Sequence, residues 1–222
     1  MRSMLKRAFL LIGLACLGLS IAACKVIATA DKGKAGQGGP NAAAVFNPDK
    51  MVDDIWDAKV VPYLAGKAGA FPDVLTQARR NPDEAGAKYG YRAKEGTAPW
   101  TVAAKIEGKI VAVETASRAG SIGIDVDGDG KADVTVQIGP AIRGTALRDS
   151  LDFVAFNDFT NQIDFARFGK SFNQHVDRTV LQGLPRDALA GHKVTVLGAF
   201  PLEQLDQPPL VTPAQVSIGP AS

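Results

Sequence analysis

At Pro99 the spacing of apolar residues changes, and that change limits the class of fold open to the chain. Before it, Met51, Val52, Ile55, Trp56, Val60 and Leu64 recur at steps of three and four, the period of a helix with one apolar face. Asn47-Pro48 supplies a cap and a first-turn proline. A helix is therefore expected from Asn47 to Ala65, with Pro62 ending or kinking it. A second helix is predicted from about Asp73 to Arg80, and a third, short one after Asn81-Pro82 as far as Gly90. Beyond Pro99 the apolar residues alternate. Trp100 to Thr115 reads as a strand, with Gly108-Lys109 marking a bulge or a turn. Ser121 to Val126 and Ala132 to Ile138 are short strands, and Ile142 to Phe156 fits neither period. Thr160 to Val180 reads as a helix, with Ile163, Phe165, Phe168, Phe172 and Val176 largely on one side. Lys193 to Phe200 and Val211 to Ile218 complete the strands. Strands clustered in this way favour an α+β fold over a parallel sheet. Three strands, a helix and two strands is the order of an OB-type barrel. The expected organisation is a helical segment over residues 47–98, then a small five-stranded OB-like β-barrel with an inserted helix over 99–222.

The first 24 residues are of another kind. Arg2, Lys6 and Arg7 form a positive start, and Ala8 to Ser20 is an apolar run. The run is too short to span a bilayer comfortably, which takes about 20 residues. Ile21-Ala22-Ala23 then places small residues before Cys24. This is the layout of a secretory signal with a cleavage site. With cysteine at the first mature position, it resembles a bacterial lipobox. The resemblance implies that residues 1–23 are removed as a signal peptide and that Cys24 carries a diacylglyceryl thioether and an acylated amine, with acyl chains such as palmitate. The competing reading, an uncleaved N-terminal membrane helix, also leaves the rest of the chain outside the cytoplasm. Each buried methylene contributes about 0.8 kcal/mol, so one acyl chain binds only marginally while several anchor the protein stably. Residues 24–46 form the lipidated cysteine and a flexible linker, since Asp31 to Pro40 is glycine-rich and has no apolar period. Lys25 follows the cysteine, where an Asp would signal inner-membrane retention. By resemblance to Gram-negative lipoproteins, the expected location is the outer membrane, facing the periplasm.

Charge and cysteine count narrow the function. The chain has 25 basic and 23 acidic residues; the signal takes three basic ones, which leaves 22 against 23 and a formal charge of −1. Nucleic-acid binding needs a basic face, so no nucleic acid is expected as a partner. The two cysteines are Cys16 and Cys24. One leaves with the signal and the other takes the lipid, so no intrachain disulfide forms, although the compartment permits one.

Asp125, Asp127, Asp129 and Asp133 crowd one glycine-containing turn, Asp-Val-Asp-Gly-Asp-Gly-Lys-Ala-Asp. Alternate carboxylates in a tight turn direct hard oxygen ligands at one centre, which suits Ca²⁺. The spacing resembles the first half of an EF-hand loop and, more closely, the Asp-rich strand-connecting loops of secreted β proteins. The twelfth position is Val136 instead of the bidentate Glu, and the flanks read as strands, which excludes a helix-loop-helix. The alternative is a plain Asp-Gly hairpin turn.

A second polar run contains Arg143, Arg148, Asp149, Asn157, Asp158, Thr160, Asn161 and Gln162, interleaved with Phe153, Phe156 and Phe159. Amides and charged groups for hydroxyls, beside aromatic faces for a ring, are what a carbohydrate site uses. Arg143, Arg148, Asn157, Asp158, Asn161 and Gln162 are the candidate ligand-binding residues, expected to converge at the start of the Thr160 helix, where free amides attract polar groups. The alternative is structural: Asp158 or Thr160 caps that helix and the arginines pair with Asp149 and Asp158.

Six stretches together carry a resemblance to a family: Lys25-Val26-Ile27, Ile55-Trp56-Asp57, Lys88-Tyr89-Gly90, Ser117-Arg118-Ala119-Gly120, Ile138-Gly139-Pro140 through Arg148-Asp149, and Phe156-Asn157-Asp158-Phe159-Thr160-Asn161-Gln162. Over nearly the whole mature chain the sequence resembles the DUF2291 family of periplasmic lipoproteins. The resemblance carries no activity with it. It implies a companion of a sugar-type ABC import system, with a periplasmic solute-binding protein or an ABC permease as partner.

Catalytic signatures are weak. His175 and His192 lie far apart, without Cys or Glu at zinc-ligand spacing, and both are expected on the surface. There is no nucleophile elbow and no phosphate loop. A non-enzymatic, membrane-tethered accessory or binding protein is the first expectation. The alternatives are a glycan-acting hydrolase with a carboxylate pair drawn from Asp152, Asp158 and Asp164, and a calcium-stabilised structural lipoprotein.

Overall fold

Asn47 starts the helical segment as its position predicts: its side-chain oxygen accepts the Lys50 N–H at 3.1 Å and Pro48 occupies the first turn of α1 (Pro48–Ile55). The computed structural model describes residues 46–94 and 97–221. The signal peptide, Cys24 and the linker up to residue 45 lie outside the described residues. The expected stop at Pro62 is corrected. The helix passes through a π-turn at Trp56–Val60 and resumes as α2 (Val61–Lys67). Within the turn, the Val61 N–H donates to the Trp56 carbonyl, five residues back. A proline inside a regular helix crowds the carbonyl four residues behind it, and the wider turn gives Pro62 room, so the helix runs on. α3 (Phe71–Arg80) and α4 (Pro82–Tyr89) follow as expected, the latter capped by Asn81, which accepts the Glu84 N–H at 3.2 Å.

Seven strands form one sheet: β1 (Gly69–Ala70), β2 (Gly90–Tyr91), β3 (Thr101–Glu114), β4 (Ser121–Asp125), β5 (Val134–Gln137), β6 (His192–Pro201) and β7 (Leu210–Ala221). β3 pairs antiparallel with β6 over residues 101–109 and with β4 over 109–114. β4 and β5 are antiparallel, β5 and β7 parallel, and β7 and β6 antiparallel. These pairings connect the five longer strands in a circuit. β1 and β2 are additions along the first half of β3. The architecture is thus α+β and OB-like, with seven strands where five are expected. The two extra strands are only two residues long, too short for an alternating pattern. Gly90 permits one of them, because a Cβ there would strike the Thr101 carbonyl.

β3 changes partners along its length. Gly108 packs against the Asp125 carbonyl with no room for a Cβ, and the register slips just beyond it, between Ile110 and Ala112. That slip is a bulge, which bends a strand and increases its twist. Two helices, α5 (Ala146–Asp149) and α6 (Gln162–His175), lie between β5 and β6 where one is expected. α6 continues as a π-turn to Val180.

α6 packs along α1. Phe172 is fully buried, 6.1 Å from the Trp56 ring and 5.2 Å from Phe168. The same packing corrects the expectation that His175 is a surface residue. It is 7 % exposed, its ring lies 4.1 Å from Trp56, and its Nδ1 is 2.6 Å from Asp53 Oδ1. His192 is half-buried, with Nδ1 2.8 Å from the Gly219 carbonyl oxygen. No helix among the described residues is long and apolar enough to cross a membrane.

Candidate solute-binding cleft

The residue that organises the cleft is Gln137, at the end of β5. Its side chain is buried. Its amide oxygen accepts the Arg143 N–H at 2.8 Å, and its amide nitrogen donates to the Arg143 carbonyl at 3.1 Å and to Thr212 Oγ1 on β7 at 2.9 Å. The side chain thus binds the main chain of Arg143 on both sides, as a hydrogen-bonded residue on a neighbouring antiparallel strand does. Gly144, at a φ of 76°, then redirects the chain into α5.

Arg148 on α5 is engaged through all three guanidinium nitrogens. Its Nε and Nη2 donate to Asp149 Oδ1 at 2.8 and 2.6 Å, Nη2 to Thr145 Oγ1 at 3.2 Å, and Nη1 to the Phe165 carbonyl at 3.3 Å. Its guanidinium also lies 3.9 Å from the centre of the Phe165 ring. The Thr145 hydroxyl donates to the other Asp149 oxygen. Arg148 therefore fastens α5 to α6, with its charge and that of Asp149 already paired within the protein.

Beside this fastening opens a cleft of about 760 Å³. The ends of four strands contribute Thr101, Gln137, Pro201 and Thr212. The segment after β5 contributes Arg143, Phe156 and Asn157, and α6 contributes Phe165. Phe156 is half exposed and meets Phe165 edge-on at 5.5 Å. Among the described residues, the side chains of Arg143, Asn157 and Glu203, all lining the cleft and exposed, have no hydrogen-bond or ion-pair partner.

Of the six candidate ligand residues, Arg143, Arg148 and Asn157 line the cleft, whereas Asp158, Asn161 and Gln162 are not among its lining. Asp158 accepts the Ala155 N–H at 2.9 Å and closes the short turn Phe156–Asp158. The cap of α6 is Asn161, which accepts the Asp164 N–H at 2.9 Å, in place of Asp158 or Thr160. Gln162 is exposed at the first position of α6. Gln137, Thr212 and Glu203 carry no local pattern that marks them: each is a single polar residue in or beside a strand. Of the three aspartates considered for a carboxylate pair, Asp158 and Asp164 serve the turn and the cap. Asp152 lines a separate cleft of about 890 Å³ with Lys67, Arg92 and Trp100. Burial and then the Asp152 carboxylate push the Tyr63 hydroxyl up to about 12.

The family model of predicted periplasmic lipoproteins, DUF2291, matches residues 14–217. The chain belongs to the DUF2291 family. No curated protein matches it. Among solved structures it is similar to an OB-fold protein from Thermotoga maritima MSB8, with a TM-score of 0.63 and 18% identity over 78% of this chain and 98% of that one. At that identity the likeness speaks for the fold alone. Two of the stretches that resemble DUF2291 meet in space. Ile138 and Gly139 donate their N–H groups to the Gly120 carbonyl at 2.9 Å each, and the Ala141 N–H donates to the Arg118 carbonyl at 3.0 Å. Gly139 sits so close to Arg118 and Gly120 that no Cβ fits.

In this DUF2291 chain the aspartate loop is bonded internally. Asp125 accepts the Gly128 and Gly130 N–H groups at 2.6 and 2.9 Å, both glycines having positive φ. Asp133 Oδ2 accepts the Val126 N–H at 2.7 Å. Carboxylate oxygens of Asp125, Asp127 and Asp133 lie within 4.8 Å of one another. Asp129 is not in that group: the Lys131 N–H, then its ammonium at 3.2 Å, engage its carboxylate and hold it below the ordinary range.

Proposed function

We propose that this periplasmic lipoprotein is tethered to the membrane, in the outer membrane by the reading of Lys25, through acyl chains on Cys24. We infer that it serves as an accessory or binding component of a sugar-type ABC import system, taking a small polar solute in the cleft below Arg143. The observation that carries the reading is the set of unpaired polar groups, Arg143, Asn157 and Glu203, beside the exposed Phe156 face. A mostly apolar, preformed cleft with a few placed polar groups is the usual form of a small-molecule site. The test uses full-length lipoprotein in detergent. A periplasmic solute-binding protein or permease of the sugar-import type should be captured from membranes, and solute present in the extract should raise its melting temperature. Capture of neither, with no thermal shift from the extract's small molecules, would reject the reading.

A second reading, calcium stabilisation, is favoured by the approach of three carboxylates to within 4.8 Å. Hard oxygen donors held this close suit Ca²⁺. Melting in millimolar Ca²⁺ should exceed melting in chelator, the gain reaching about 2.7 kcal/mol when the ion is a hundredfold above its Kd. Equal midpoints would leave the loop as an Asp-Gly turn held by its own amides.

A further inference from the structure

We propose that Arg143 selects the solute, and that the solute is a small sugar acid, a polyhydroxylated molecule carrying one carboxylate. The proposal rests on the solute-binding reading of the cleft and specifies its ligand. Two arginines line the cleft and their situations are opposite. Arg148 gives its guanidinium to Asp149, Thr145 and the Phe165 carbonyl. Arg143 gives its guanidinium to no other described residue.

Its main chain, by contrast, is held on both sides by Gln137, which is 4 % exposed and itself bonded to Thr212. A buried amide therefore fixes the backbone from which a free cation projects. The backbone entropy of placing that residue is spent during folding, which lowers part of what a ligand must overcome. A guanidinium presents its donors in a planar fork that matches a carboxylate edge.

The other unpaired groups set the rest of the ligand. Glu203 accepts hydroxyl hydrogens, Asn157 both donates and accepts, and Phe156 offers a face to the C–H side of a sugar ring. Charge separates the candidate ligands. A neutral sugar offers the Arg143 guanidinium no anionic partner for its planar fork. A phosphate dianion brings a second negative charge into a cleft that already holds Glu203. A monocarboxylate gives the Arg143 guanidinium a matching bidentate partner, and Glu203 is left to the hydroxyls.

Isothermal titration of the detergent-solubilised full-length protein tests this, with glucuronate, galacturonate and gluconate as acid probes and glucose, galactose and glucose 6-phosphate as comparisons. At least one acid should bind well ahead of its neutral counterpart. Arg143→Gln should weaken that acid by roughly 10- to 100-fold, the loss expected for one charge-assisted hydrogen bond, with the melting temperature unchanged, and Arg143→Lys should recover part of it. A neutral sugar or the phosphate bound as tightly as the acids, or an acid bound equally by Arg143→Gln, would overturn the selection by Arg143 and leave the solute-binding reading standing. Binding of none of the six probes would overturn the sugar-acid proposal, while capture of an import partner would still support the broader reading.

Discussion

Phe172→Ala lowers the stability of the folded region by about 3–5 kcal/mol, the range for removing a fully buried aromatic ring. Phe172 is 0 % exposed and packs between Trp56 and Phe168, where α6 lies along α1. Its loss removes the transfer energy of the ring and leaves a void lined by side chains that cannot close on it. Two of these, Trp56 and Phe168, are anchored on different helices, so collapse requires the helices to move together. The comparison is Ile163→Ala on the same helix. Ile163 is 64 % exposed, and surface changes of this kind stay within about 0.5 kcal/mol. Chemical denaturation monitored by circular dichroism measures both. Equal effects for the two variants would mean that α6 does not bury its Phe172 side. The contrast also corrects the helical stripe expected from spacing. Phe168, Phe172 and Val176 are buried, but Ile163 faces solvent.

Cys24→Ser abolishes lipid labelling and leaves the chain unprocessed, still carrying residues 1–23. On the lipobox reading, a serine hydroxyl cannot form the thioether on which the expected cut after Ala22-Ala23 depends. Because several acyl chains anchor almost permanently while one binds marginally, the change in membrane attachment is all or none. Metabolic labelling with a fatty acid, followed by gel mobility, measures it. Normal labelling and mobility of the Ser variant would defeat the lipoprotein reading of this terminus.

Much of the helical segment was legible because its signals are local. Asn47 and Asn81 each cap a helix three residues from the amide they accept. The five longer strands were also legible, since each has enough residues to show alternation. β1 and β2 were not, because two residues cannot display a period. The polar run was legible as composition but not as a site. Its members have several jobs: Asp158 and Asn161 close a turn and cap a helix, Arg148 fastens α5 to α6, and Arg143 and Asn157 are left free beside the cleft. Arg148 was a binding candidate by residue type, and its pairing with Asp149 and Phe165 makes it a structural tie. The pairing of an arginine with Asp149, the structural alternative read from the sequence, holds for Arg148, whereas Thr145 becomes informative only once it is seen holding it.

The sequence by itself determined the caps, the periods and hence the α+β, OB-like order of elements. Each depends on residues within a few positions of one another, where chain connectivity already imposes the geometry. The tertiary structure alone decided which polar groups are spent and which are available. Gln137 meets Thr212 from 75 positions away, and His175 meets Asp53 from 122. Such contacts form when strands and helices pack, and they leave no periodic trace in either partner. A buried hydrogen bond removes a polar group from the chemistry of the surface, and it is that selection, made by packing, that leaves Arg143 rather than Arg148 free at the cleft.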